Sequence, residues 1–158
     1  MRRELKFLED SQYGEPFRPT RGYDYELELT EEEVAKVPTQ AGVYIIVAKG
    51  GKTKFIYPRG KSPVIYIGEA KDLRRRLRTH LHHLNDLRNS EEEDLLQHVQ
   101  HCPRYNYMRA FGAYVYLFYC LKKTQDSKTL ESWVIEKFYE HYRSIPVGNG
   151  ARSFTPGK

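Results

Sequence analysis

The chain has 158 residues with 39% hydrophobic and 30% charged side chains, the composition of one soluble globular domain rather than of a disordered or fibrous chain. Lys and Arg (26) exceed Asp and Glu (21), a surplus that permits a polyanion partner without establishing one. No apolar run is long enough to span a membrane, the Met1-Arg2-Arg3-Glu4 start lacks the apolar stretch of a signal peptide, and two cysteines, Cys102 and Cys120, cannot build a disulfide framework, so a cytoplasmic protein with ordinary thiols is expected.

Residues 1 to about 25 carry Gly14, Pro16, Pro19 and Gly22 and read as an irregular arm with little core of its own. Tyr23 to Leu29 alternates weakly, the pattern of a short strand. Thr30 followed by Glu31-Glu32-Glu33 is a capping box that opens a short helix, which Pro38 ends. Gly42 to Val47 is a β-branched and aromatic run, hence a buried strand, and Lys54 to Tyr57 is a more exposed one. Val64 to Gly68 repeats the buried pattern. A helix follows from Ala70 to about Asn89, with Leu73, Leu77, Leu81 and Leu84 on one stripe. Glu91 to His101 suits a further helix ended by Pro103. Ala113 to Leu121 is a third strand, and Thr129 to Arg143 a helix with Leu130, Val134, Phe138 and Tyr142 stacked at i, i+4. The order of strands and helices suggests a small α/β sandwich with an antiparallel hairpin at its centre.

Chemistry-bearing residues fall at the edges of these elements. Lys71, Arg74, Arg75, Arg76 and Arg78 form a basic cluster, a solvated helix face or a phosphate-neutralising one. Arg76 and His80 are an i, i+4 pair flanking the leucine stripe, where a cleft would form. Glu131 sits on the margin of its helix's apolar stripe, the place of a dipole-complementing carboxylate or of a site residue. Tyr44 and Tyr66, inside buried strands, are core tyrosines or site hydroxyls. Gly68 and Asn149 suit turns. His98, His101 and Cys102 lack a second pair of ligands and are discounted as a zinc site.

Together these residues resemble a GIY-YIG nuclease domain, and the resemblance implies an α+β fold with a small central antiparallel three-stranded sheet flanked by helices, an N-terminal arm (1–37) before the domain (38–158) and a helical insertion at about 86–112. Gly42-Val43-Tyr44 is similar to the first signature, and Tyr66-Ile67-Gly68 matches the second. Arg76 stands ten residues after Tyr66, and His80 four residues further, as in that family. Glu131 begins a helix like the family's metal-binding one, and Pro146-Val147-Gly148-Asn149 looks like its closing motif. The 21 residues between Tyr44 and Tyr66 exceed the family's usual spacing, so an enlarged hairpin is expected. Glu69 stands where the similar excision-repair subunit has lysine.

The resemblance implies phosphodiester hydrolysis in DNA, duplex or branched, with one divalent cation, Mg²⁺ or Mn²⁺, held by Glu131. It implies that Tyr44 or Tyr66 activates the attacking water, Arg76 stabilises the phosphate, and His80 completes the network. Asn149 ties the last loop to the site, and Gly42 and Gly68 let the backbone approach closely. Lys71, Arg74, Arg75 and Arg78 become candidate DNA contacts. RNA is left open by the charge, as are a homodimer, a non-catalytic DNA-binding module and a nuclease subunit within a larger complex. Restriction, repair and mobile-element roles all fit the residues.

Overall fold

A computed structural model describes residues 3–8, 25–50, 54–89, 102–120 and 126–150. The central sheet has four strands: β1 (Tyr25–Glu28), β2 (Gly42–Ala48), β5 (Val64–Ala70) and β6 (Ala113–Tyr119), in the order β1-β6-β2-β5. Every pairing is antiparallel. The expected three-stranded sheet is therefore corrected to four. The extra strand is the weak alternation after Tyr23, whose residues Tyr25 to Glu28 pair with Leu117 to Tyr114 on the free edge of β6. Between β2 and β5 the enlarged hairpin forms its own two-stranded ribbon, β3 (Phe55–Tyr57) and β4 (Gly60–Ser62).

Among the described residues four α-helices flank the sheet. The Thr30 hydroxyl accepts from the Glu33 amide at 3.3 Å and opens α1 (Glu31–Lys36), and Val37 turns extended before Pro38. Helix α2 (Leu73–Asn89) begins later than periodicity suggests. Glu69 and Ala70 are held in β5 by pairing with Val43 and Gly42, and Asp72 then accepts from the Arg75 amide at 3.0 Å. Helix α3 (Pro103–Phe111) was not expected: Pro103 opens a helix instead of closing one, since its missing N–H costs nothing in the first turn. The expected helix at 91–101 lies outside the described residues. Helix α4 (Ser127–Tyr142) is capped by Asp126, whose carboxylate accepts from the Lys128 and Thr129 amides.

The sheet has a core on each face. On one side Tyr44, Ile46, Leu73, Leu77, Leu81, Leu84, Tyr105 and Met108 pack together beneath α1, α2 and α3. On the other, Val43, Ile45, Ile67, Leu130, Val134 and Phe138 pack against α4. The arm contributes more than its turn formers suggest: in the 3-10 turn Arg3–Leu8, Leu5, Phe7 and Leu8 are buried in this second cluster, with Phe7 edge-on to Phe138 at 5.2 Å. The ribbon is bolted across both helical layers. Tyr57 stacks near Phe138 and Tyr142 of α4, while Phe55 meets Tyr107 and Phe111 of α3.

Candidate active site

Strand pairing brings the two tyrosine signatures together. Tyr44 lies opposite Gly68, and Ile46 opposite Tyr66, so Tyr44, Tyr66 and Gly68 share the face of the sheet that α2 and α3 cover. The tyrosine rings are 5.9 Å apart and tilted by 41°. Gly68 makes this possible: a Cβ there would overlap the Tyr44 hydroxyl and come within 2.6 Å of Tyr66 Cε1. Gly42 is equally constrained, because a Cβ would run into the Phe118 carbonyl.

The leucine stripe of α2 carries His80 into the core. His80 is only 1% exposed, with Nε2 2.7 Å from the Tyr44 hydroxyl and Nδ1 2.8 Å from that of Tyr105. Burial, reinforced by Arg104 and Arg76, pushes its pKa down to about 3, so the imidazole is neutral at physiological pH. Burial also holds the Tyr44 hydroxyl well above the ordinary phenol value. Arg76 and Arg104 pull it down but do not overcome the desolvation. Tyr44 is therefore a phenol in this state. Arg76, one turn before His80, is exposed.

Glu131 lies near the start of α4, with the Glu69 backbone and carboxylate as neighbours at the end of β5. Its pKa is raised to about 7, first by burial and then by the neighbouring Glu69 carboxylate, with Lys128 and Arg76 pulling the other way. The Glu69 carboxylate accepts from the Ser127 hydroxyl at 2.6 Å. Asn149 completes this edge. Its Oδ1 accepts from the Ile67 amide at 3.0 Å and its Nδ2 donates to the Ile67 carbonyl at 2.8 Å. Gly148 adds a bond from its amide to the Ile65 carbonyl. The outward backbone groups of Ile65 and Ile67 on edge strand β5 are thus paired by Gly148 and Asn149, as a fifth strand would pair them.

The basic cluster divides. Lys71, Arg75 and Arg78 are exposed, whereas the Arg74 Nε donates to the Val37 carbonyl and ties α2 to the end of α1. Histidines 98 and 101 lie outside the described residues; Cys102 is a free thiol. Among the described residues no group of three or more His, Cys, Asp or Glu side chains gathers to hold a metal. A hard cation such as Mg²⁺ does not need one, since one or two carboxylates with water and phosphate oxygens complete its shell. Glu131, half-buried beside Glu69 and reluctant to ionise alone, has the chemistry of such a ligand.

The sequence reading missed Glu69 as a neighbour of Glu131, and it missed Arg104 and Tyr105 entirely. The Arg104 guanidinium lies 4.7 Å from the Tyr66 ring centroid and 5.1 Å from that of Tyr105. The spacing of Tyr105 and Met108, both buried on one side of α3, is the signal that would have revealed that helix.

A small α+β domain has thus placed a tyrosine pair, a neutral histidine, an arginine and a half-buried carboxylate at one end of its sheet, the equipment of a nuclease-type fold. The chain matches the family model of the GIY-YIG catalytic domain over residues 40–139, and it belongs to that family. Comparison with curated proteins and with solved structures found no match.

Proposed function

We propose that the protein is a metal-dependent endonuclease that hydrolyses phosphodiester bonds in DNA. One observation carries this reading: the positive charge of Arg76 acts on Tyr44, His80 and Glu131 alike, so one guanidinium stands in range of the hydroxyl, the imidazole and the carboxylate. A phosphodiester held there would meet a charge clamp, a hydroxyl network and a hard oxygen ligand together.

Glu131 would hold one Mg²⁺ or Mn²⁺, with Glu69 adding negative field. When bound, the ion supplies charge neutralisation on the phosphate and acidifies water. Arg76 grips the non-bridging phosphate oxygens through its planar fork. Tyr44 receives the proton of the attacking water, and Tyr66 is the alternative base and the path to solvent. His80 orients Tyr44 without charging. Asn149 fixes the backbone between Tyr66 and Gly68, so the two signatures keep their spacing. Lys71, Arg75 and Arg78 line up as duplex contacts beside Arg76, and Arg74 adds the donors that Val37 leaves unused. No helix among the described residues is long and apolar enough to cross a membrane, and free thiols at Cys102 and Cys120 suit the cytoplasm.

The test is a panel of labelled oligonucleotides (duplex, flapped and branched DNA beside single-stranded RNA) incubated with Mg²⁺ or with EDTA. Cleavage of a DNA member only when Mg²⁺ is present is the expected result. Cleavage confined to RNA contradicts the substrate, and EDTA-resistant cleavage contradicts the metal.

A further inference from the structure

The buried imidazole of His80 has a phenol at each end, and a neutral ring carries one proton between its two nitrogens. It therefore donates to one tyrosine and accepts from the other, and the choice has chemical consequences. If Nδ1 carries the proton, Tyr44 must give its own hydroxyl proton to Nε2, and His80 then holds that proton in place. If Nε2 carries it, His80 donates to the Tyr44 oxygen and stabilises the phenolate that a base requires.

The Tyr105 end of this chain breaks the tie. At the Tyr105 end, the Arg104 side chain hydrogen-bonds to the Tyr105 hydroxyl, and a guanidinium can only donate. The Tyr105 oxygen is thereby an acceptor beside a cation, which sharpens its own O–H as a donor toward Nδ1, 2.8 Å away. At the other end, the Tyr44 hydroxyl lies 2.7 Å from Nε2 and takes the complementary role, accepting when Nε2 carries the proton. Arg104 belongs to both ends, since its guanidinium also lies over the Tyr66 ring. Its Nε is buried without a hydrogen-bond partner among the described residues. Burial keeps the His80 ring neutral, and the neighbours Arg104 on α3 and Arg76 and His83 on α2 act in the same sense.

We infer that Tyr105, presented by the insertion helix α3 and oriented by Arg104, is a positioning residue that locks His80 as the Nε2–H tautomer, so that His80 donates to Tyr44. The hydrogen bonds then run one way, Arg104 to Tyr105, Tyr105 to His80 and His80 to Tyr44, with the Tyr66 ring 5.9 Å from that of Tyr44. The proton that Tyr44 gives up passes to the Tyr66 oxygen, while Tyr66 releases its own to water at the partly exposed rim. His80 gains and loses no proton. The catalytic part of this inference rests on the nuclease reading above; the tautomer itself does not.

The test is two-bond ¹H–¹⁵N correlation spectroscopy on the full chain labelled with ¹⁵N-histidine. The His80 signals are identified by their loss in His80→Gln and by their failure to titrate between pH 8 and pH 5. The expected spectrum shows a neutral ring protonated on Nε2. Tyr105→Phe is expected to lose that preference in favour of Nδ1–H, and to lower turnover about tenfold at unchanged KM. A parent ring protonated on Nδ1, or a Tyr105→Phe ring still locked as Nε2–H, overturns the proposal. The parent spectrum decides even if Tyr105→Phe fails to fold. An Nε2–H ring in a protein that cuts no DNA removes the nuclease reading and leaves the lock standing. An Nδ1–H ring in an active nuclease does the reverse.

Discussion

At the scale of single residues, the site depends on one missing side chain. The Tyr44 hydroxyl occupies the space above Gly68, and the Tyr66 ring edge borders it. Gly68→Ala must displace a buried tyrosine, an overpacking that costs about 2 kcal/mol. Denaturant melts should show that loss, together with reduced cleavage by the fraction that remains folded. The arginines of α2 separate by the same kind of reasoning. Arg76 is the one whose charge reaches Tyr44, His80 and Glu131. Arg76→Ala is expected to lower single-turnover cleavage on the order of 10²-fold. Arg75→Ala and Arg78→Ala, exposed and away from that network, should each reduce the salt slope of DNA binding by about 1 and leave turnover nearly unchanged. Filter binding at several salt concentrations separates the two kinds of arginine.

At the scale of elements, the outer edge of β5 is the feature that joins fold to chemistry. A bare sheet edge exposes its backbone donors and acceptors. Here the Asn149 amide takes both groups of Ile67, and the Gly148 amide takes the Ile65 carbonyl. Asn149→Ala leaves the Ile67 N–H and C=O unpaired, which should destabilise the protein by about 2–4 kcal/mol and lower cleavage further than the folded fraction explains. Chemical denaturation beside a cleavage assay checks it. Much of this frame was legible in the sequence, because buried β-runs and a leucine stripe report their own periodicity. The two tyrosine signatures, Arg76, His80 and Glu131 stood out through their resemblance to the family's motifs, since periodicity alone places each of them only in or beside the core. Helix α3 was not, since Pro103 suits the first turn of a helix as well as the stretch after one, and only tertiary packing of Tyr105 and Met108 decides between them. Glu69 was read as a substitution in a motif, and its effect on Glu131 emerges only when α4 docks against β5. The sheet's fourth strand was legible as a strand but not as a member of the sheet, because register on an edge is set by the partner β6.

At the scale of the whole molecule, site electrostatics and stability are linked. Glu131 titrates near 7 in the folded chain against an ordinary value of 4.5, so ionising it opposes folding. That penalty is absent below the ordinary value, grows as pH rises from there to about 7, and is fully present above it. In metal-free protein, Glu131→Gln should therefore raise the melting temperature at pH 8 and leave it nearly unchanged at pH 4.5. His80 acts in the opposite sense. Its folded value of about 3 lies below the ordinary 6.5, so it contributes stability above 6.5 that is lost as pH falls toward 3. Both proteins carry His80, so its contribution cancels in the comparison. A domain that carries a half-ionised, destabilising carboxylate at neutral pH is poised for a cation there. The central claim is tested most directly by following supercoiled plasmid DNA in Mg²⁺ or Mn²⁺, with the parent beside Glu131→Gln and each repeated in EDTA. Nicking or linearisation by the parent alone, abolished by EDTA and reduced at least about a hundredfold in Glu131→Gln, is the predicted result. Equal cutting by Glu131→Gln, or cutting that persists in EDTA, would contradict it.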